Sequence, residues 1–568
     1  MQVQAGNGAN DSAYLYLLRQ GSEEPSIASQ SFAEEAEGSD EDDPESASSH
    51  SKLQQQQPSF YAMHGCTDVI FLLIFAVAVG YIAHIGVYAV LHGDYRRLFN
   101  GFDSEGKQCG IDIPGKNYLF WCRSMGLPGV IDVMHPVCVD RCPSSDDSTD
   151  TSSNCFEGAL EPDYATTVFA ARYCLPKDDV FLSQLENDLQ GKPVARFISG
   201  ISMLTWAWMP LLTAADAAVV LGFAHVSLLG RCTKAACECI ADVPTLLLEP
   251  ILTLCIKVLI FVPLISGFVL LLSTGDVEPH GTYRTFKYSH TQKVYIVTYF
   301  LAILWAWDLC NALSHFVLAY VVQRWYFTPY FVNKKRVDPA IIFDGYWLGV
   351  VFHLGTLSLG AAIIASVRAL RICLAFMERQ ASYSGNCVAA CLAKVCFACL
   401  TCMQRMVEFL NKNAYIEVAV SSAPFFVAAY RAGAVINREI SAVAALNGAC
   451  WILKVAGLGA IAGVGALVAW LTVRSAPDFS NIVSERYVHD PVLLAVVAGA
   501  LCLAIAYTFL TVFDMACDTV LYCFATERQR QRVKLGAPEM MSSWRPLRRS
   551  RCAPASLHHF LENYSGDY

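Results

Sequence analysis

The stretch VIFLLIFAVAVGYIAHIGVYAVL, residues 69–91, is broken only by the polar His84. At about 1.5 Å per residue such a run reaches across a ~30 Å hydrocarbon core, with its backbone groups satisfied inside one helix. Runs of the same kind recur at residues 197–229, 244–272, 294–322, 347–376, 451–473 and 492–524. A soluble domain seldom needs one of them. The composition agrees: 568 residues, 54% hydrophobic, 16% charged, mean hydropathy +0.38. The fold class is therefore an all-α polytopic membrane protein.

Charge is segregated along the chain, so the net charge of −9 describes no one region. The amino-terminal stretch holds Glu34, Glu35, Glu37, Asp40, Glu41, Asp42, Asp43 and Glu45, followed by Gln54 to Gln57. It has too few apolar residues to bury a core and reads as a disordered acidic tail. The opposite end carries Arg528, Arg530, Arg532, Lys534, Arg545, Arg548, Arg549 and Arg551 directly after the last apolar run. A basic segment in that place belongs on the cytoplasmic face beside anionic lipid, not on nucleic acid.

Between the first two runs lie Cys109, Cys122, Cys138, Cys142, Cys155 and Cys174, in a loop rich in Pro, Gly, Asp and Ser. An even count in such a loop predicts three disulfides and an oxidising, extracellular side. Six cysteines allow fifteen pairings, and spacing does not choose among them. With that loop outside, both termini fall inside, and Lys334, Lys335 and Arg336 fall inside as the positive-inside rule requires. The parity closes with about eight spans if the weakly apolar segment 387–410, which contains Lys394 and Arg405, is the return crossing of 347–376. If both lie in the interface, the count is six. Five further cysteines, Cys387, Cys391, Cys396, Cys399 and Cys402, have a spacing that puts them on one helical face. This makes them packing or S-acylated residues, not cluster ligands. No metal site and no cofactor is expected.

Several short motifs occur in order along the chain. They are Gly93-Asp94-Tyr95-Arg96-Arg97-Leu98, Cys138-Val139-Asp140-Arg141-Cys142-Pro143 and Tyr173-Cys174-Leu175-Pro176 in the loop. Later come Trp325-Tyr326-Phe327-Thr328, His353-Leu354-Gly355-Thr356, Asn411-Lys412-Asn413-Ala414-Tyr415 and Phe513-Asp514-Met515-Ala516-Cys517-Asp518. In this order they resemble the choline transporter-like family (solute carrier family 44). The resemblance covers roughly residues 65–530 and implies a helical carrier of choline or a related small organic cation, ethanolamine included. The family usually has about ten spans. Here only 197–229 fills an interval where the family has three helices, so the chain is a shortened member or a sequence lacking two of them.

The expected organisation is a cytoplasmic tail (1–65), a first transmembrane helix (66–91) and an extracellular disulfide-stapled loop (92–196). A transmembrane helical domain (197–526) and a basic cytoplasmic tail (527–568) follow. The expected location is the plasma membrane, or alternatively an intracellular one, with lipid and a choline-like cation as partners.

An ionisable residue inside a span is expensive, and so marks a functional candidate. Asp308 is the clearest case, with Trp305, Asn311 and His315 at −3, +3 and +7 on its helical face. Trp305 and Asp308 are read as aromatic wall and counter-charge for a cation that has no N–H to donate. The bland alternative makes Trp305 an interfacial anchor and Asp308 a salt-bridge partner. Asp514 and Asp518, one turn apart, form a second candidate pair, with a structural ion pair, suggested by their nearness to the basic tail, as its plainer reading. Glu249 and Lys257 are a weaker i+8 pair. No GxxxxGK[ST], HExxH or GxSxG pattern is present, so neither an ATP-driven pump nor an enzyme is expected. Facilitative transport is the leading reading. A non-transporting interaction or receptor-like protein that uses the cysteine loop is its rival.

Overall fold

The computed structural model describes residues 65–123, 131–143, 166–169, 172–176, 213, 234–280, 283–330, 334–385, 387–438, 440–480, 491–534, 552 and 554. Among these residues seven helices are long and apolar enough to cross a membrane. The expected crossing at 197–229 lies outside the described residues, Thr213 excepted.

Helix α1 (Val69–His92) contains the apolar run 69–91. Ile70, Leu73, Val77 and Val87 are exposed on it, and only Ile85 and Ala89 are buried. An apolar surface of that kind suits a hydrocarbon environment, not water. Its start is fixed by Asp68 in the left-handed region (φ 54°). It ends at Gly93, where a Cβ would strike the carbonyl oxygens of Ala89 and Leu270.

The loop after α1 folds around its cysteines. Strands β1 (Tyr118–Arg123), β2 (Ile131–Val139), β3 (Thr166–Phe169) and β4 (Tyr173–Pro176) form one sheet in the order β2-β1-β4-β3. Disulfides Cys109–Cys138 and Cys142–Cys174 pin the turn before β1 to β2, and the exit from β2 to β4. Cys122 is also disulfide-bonded, while Cys155 lies outside the described residues. Leu119, Phe120, Trp121, Ile131 and Val139 complete a small core around the sulfurs. So few apolar side chains make a weak core, and covalent staples compensate for it.

Helix α2 (Lys234–Asp242) leads through a short 3-10 turn into α3 (Glu249–Leu272), where Pro250 sits in the first turn. A hairpin of β5 (Asp276–His280) and β6 (Tyr283–Lys287) returns the chain to α4 (His290–Phe327). A capping box opens α4, in which the Ser289 side chain accepts from the Gln292 N–H and the Gln292 side chain accepts from the Ser289 N–H.

The run 347–376 does not form one span as expected. It breaks at Phe352 and His353 into α5 (Ile341–Val351) and α6 (Leu354–Tyr383). Close packing accounts for the break. Gly355 lies against the start of α1, where an added Cβ would come within 2.5 Å of the Asp68 carbonyl oxygen, and buried His353 and Thr67 share a 2.9 Å hydrogen bond. The doubtful return segment is a full helix, α7 (Cys387–Ser421). Then come α8 (Phe425–Arg438), α9 (Ile440–Ser475) and α10 (Pro491–Lys534).

Burial is concentrated at the end of the bundle away from the disulfide loop. In α4 almost every residue from Phe316 to Phe327 is buried, whereas Val294, Val297, Phe300 and Leu301 are exposed. The same division appears in α6 (buried from Gly355 to Ala361), α7 (Asn413 to Val420) and α10 (mostly buried from Phe509 to Ala525). Small residues permit the approach: a Cβ on Gly360 would collide with Tyr415 and Phe425, and one on Gly349 with Leu313.

Candidate functional site

The four residues singled out on α4 turn to different partners. The Trp305 indole N–H donates to the Ser358 carbonyl at 2.9 Å, and the ring meets Phe75 of α1 edge-on at 5.4 Å. Asn311 Oδ1 accepts from Lys257 Nζ at 2.9 Å, and that ammonium also sits 4.7 Å from the Trp307 ring centre. His315 lies in the field of Lys412, Lys257, Lys454 and Asp514.

Asp308, only 3% exposed, is ion-paired: its Oδ1 lies 2.9 Å from Nη2 of Arg368 on α6. The other carboxylate oxygen, Oδ2, is buried without a hydrogen-bond partner among the described residues. Arg368 Nη2 is also 3.6 Å from Glu408 Oε1 on α7, and Gln404 Nε2 donates to that oxygen at 2.6 Å. Arg368 and Glu408 are the charged groups that act on Asp308. Two carboxylates against one guanidinium leave this triad with a formal charge of −1.

The second candidate pair belongs to a different arrangement. Asp518 Oδ2 lies 2.5 Å from Lys412 Nζ of α7, and Asp514 Oδ2 lies 3.0 Å from Lys454 Nζ of α9 and 3.9 Å from Lys412. Lys454 also rests 4.8 Å from the Tyr507 ring centre. Two lysines match two aspartates, so this quartet is neutral and ties α7, α9 and α10 together.

Glu249 and Lys257 do not meet. Glu249, 2% exposed, accepts hydrogen bonds through Oε1 from Thr253 Oγ1 (2.5 Å), Ser314 Oγ (2.6 Å) and Tyr346 OH (3.3 Å). Two turns of helix separate the two charges, and neighbouring helices supply closer partners to each.

Sequence reasoning missed Arg368, Glu408, Lys412 and Lys454 as partners. Each is an ionisable residue in a long apolar helix, which was the signal that would have found them. Cys387, Cys391, Cys396, Cys399 and Cys402 are all exposed on α7. Among the described residues no group of three or more His, Cys, Asp or Glu side chains is arranged to hold a metal ion.

Beyond the spans, Lys335 is 3% exposed. Its ammonium donates to the carbonyls of Trp325 (3.1 Å), Tyr326 (2.6 Å) and Cys552 (2.7 Å). It also faces the rings of Trp325 and Tyr330 at 4.4 and 4.7 Å. Burial pushes the Lys335 ammonium down to about 8.

These features define a multi-pass helical membrane protein with a disulfide-stapled loop and charged groups paired across its interior. The sequence profile of the family described as plasma-membrane choline transporter matches residues 217–529. The chain belongs to that family. Choline transporter-like protein 5-A of Danio rerio is 28% identical over 245 residues, 43% of this chain and 34% of the relative. Choline transporter-like protein 2 of Dictyostelium discoideum is 27% identical over 325 residues, 56% of this chain and 48% of the relative. The human choline transporter-like protein 2 is 29% identical over 240 residues, 41% of this chain and 33% of the relative. The chain thus spans between a third and a half of the length of these curated relatives.

Proposed function

We propose that this chain carries choline, or a related small organic cation such as ethanolamine, across a membrane, and that the cation is held at the Trp305–Asp308 face of α4. One observation carries the reading: the Asp308–Arg368–Glu408 triad has one negative charge in excess, so a single monocation brings it to neutrality. The balanced Lys412–Lys454–Asp514–Asp518 quartet has no such vacancy for charge. A quaternary ammonium donates no hydrogen bond from its nitrogen and is attracted by a carboxylate and by aromatic faces. Asp308 supplies an unpartnered buried oxygen, and Trp305 supplies an indole whose orientation Ser358 fixes.

Transport is facilitative in this reading. An inside-negative potential contributes about 2.3 kcal/mol per charge per 100 mV to cation entry, so no coupled ion is required. The membrane is the plasma membrane, with both termini cytoplasmic.

The test is uptake of labelled choline by cells expressing the full chain, beside Trp305→Ala and Asp308→Asn, with surface amount measured for each. A substrate nitrogen about 5 Å from the carboxylate gains on the order of 3 kcal/mol at an effective dielectric near 20, so Asp308→Asn raises KM by about 100-fold. Saturable uptake unchanged in both variants refutes the site. Absence of uptake by a wild-type chain present at the surface refutes the function.

A further inference from the structure

Arg368 stands between two unequal seats. Asp308 is 3% exposed and holds it at 2.9 Å, while Glu408 is 41% exposed and lies 3.6 Å away. Glu408 is itself steadied by Gln404. One guanidinium group therefore satisfies the buried carboxylate while remaining in reach of the more exposed one. We infer that Arg368 is a tethered stand-in for the transported cation, occupying Asp308 when the carrier is empty and moving to Glu408 when substrate arrives. The inference rests on the reading of the Trp305–Asp308 face as the cation site.

Charge explains why such a residue matters. A bare carboxylate in a buried, membrane-spanning position is costly. With Arg368 on Asp308 the buried seat is neutral, and the empty carrier is free to return. With substrate on Asp308 and Arg368 on Glu408 it is neutral again, and the loaded carrier is free to move. Without Arg368 only the loaded form has a neutral seat, so the protein exchanges one cation for another and returns empty poorly. A short movement suffices, because the same Nη2 atom already lies within 4 Å of both carboxylates.

The experiment uses the purified full chain in liposomes and measures labelled choline in two modes. One is net uptake into vesicles without internal choline, and the other is exchange against internal unlabelled choline. Arg368→Gln should lower net uptake by about tenfold or more beyond whatever it costs exchange, so that the ratio of net uptake to exchange falls. Arg368→Lys, which keeps a cation, should restore net uptake. Glu408→Gln removes the second seat and should raise KM in both modes.

A merely structural role for Arg368 would depress both modes in proportion, and that result overturns the inference. So does an Arg368→Gln variant that keeps net uptake. If that variant is not recovered folded, an unchanged KM in Glu408→Gln overturns it instead. Wild-type liposomes inactive in both modes would refute the cation-carrier reading itself, and the inference with it.

Discussion

Lys412→Met is the perturbation whose cost follows most directly from the charge arrangement. Lys412 Nζ is 2.5 Å from Asp518 Oδ2 and 3.9 Å from Asp514 Oδ2, and both side chains of the shorter pair are largely buried. Methionine keeps the length and the apolar stem but leaves Asp518 without an ammonium. Stranding one member of a buried pair costs about 3–5 kcal/mol, most of it the penalty on the charge left behind. Lys412→Met/Asp518→Asn strands nothing and should recover at least about 2 kcal/mol of that loss, a coupling of the size contacting residues show. Lys454→Met should cost less, because Asp514 keeps Lys412 within 4 Å. Reversible unfolding of the purified chain in detergent, run as a double-mutant cycle, measures all three. The double variant should also transport choline with a near-normal KM, since the quartet holds no surplus charge. A single variant costing less than about 1 kcal/mol, or a double no better than the single, would refute the reasoning.

Two other outcomes follow from packing and titration. Gly355→Ala places a Cβ 2.5 Å from the Asp68 carbonyl oxygen and 3.1 Å from that of Thr67. Backbone atoms at that distance cannot swing away, so the start of α1 must separate from α6 at a cost of about 1–3 kcal/mol. Gly80→Ala, inside α1 with nothing within 4 Å, should leave the unfolding temperature unchanged or slightly raised, and equal effects in the two variants would contradict the contact. Lys335 has a folded value near 8 against an ordinary 10.5. Between those two values the unfolded chain binds the extra proton, so raising pH through that window stabilises the fold. The stabilisation is complete above about 10.5 and is lost as pH falls through about 8. The difference in unfolding temperature between wild type and Lys335→Met should therefore move in favour of wild type from pH 7.5 to 9.5, and a flat difference rules out a buried, titrating Lys335.

The sequence announced the spans because lipid-facing helices carry their signal locally: residues 69–91 needed no knowledge of any neighbour. It announced the oxidised loop for a similar reason, through the number of cysteines and not their order. The pairing Cys109–Cys138 and Cys142–Cys174 depends on which strands adjoin, and short strands around a sulfur core have no period to read. His353-Leu354-Gly355 reads as a helix start, but the contact that breaks the run there, at Thr67 and Asp68, lies far away in sequence. Segment 387–410 reads as the candidate return crossing, though only weakly apolar because of Lys394 and Arg405. In the structure Lys394 is well exposed, 3.9 Å from Glu378 of α6.

The candidate site was half legible, and the missing half has one physical cause. Asp308 stood out because an acid in an apolar run demands an explanation, and Trp305 stood out by helical spacing. What decides their role is the balance of charge around them, and charge balance is a property of several helices at once. Asp308 alone reads as a counter-charge, and Asp308 with Arg368 as a finished salt bridge. Only with the third member, Glu408, does the formal count of the described group become −1, which is what the proposed cation site rests on. The same count separates the two carboxylate pairs that looked alike in the sequence. Asp514 and Asp518 meet two lysines and hold helices together, whereas Asp308 and Glu408 share one arginine and leave a charge to be met. A membrane interior enforces that balance most strictly at the buried Asp308, whose charge Arg368 meets; the surplus negative charge of the described triad falls on Glu408, 41% exposed and open to solvent.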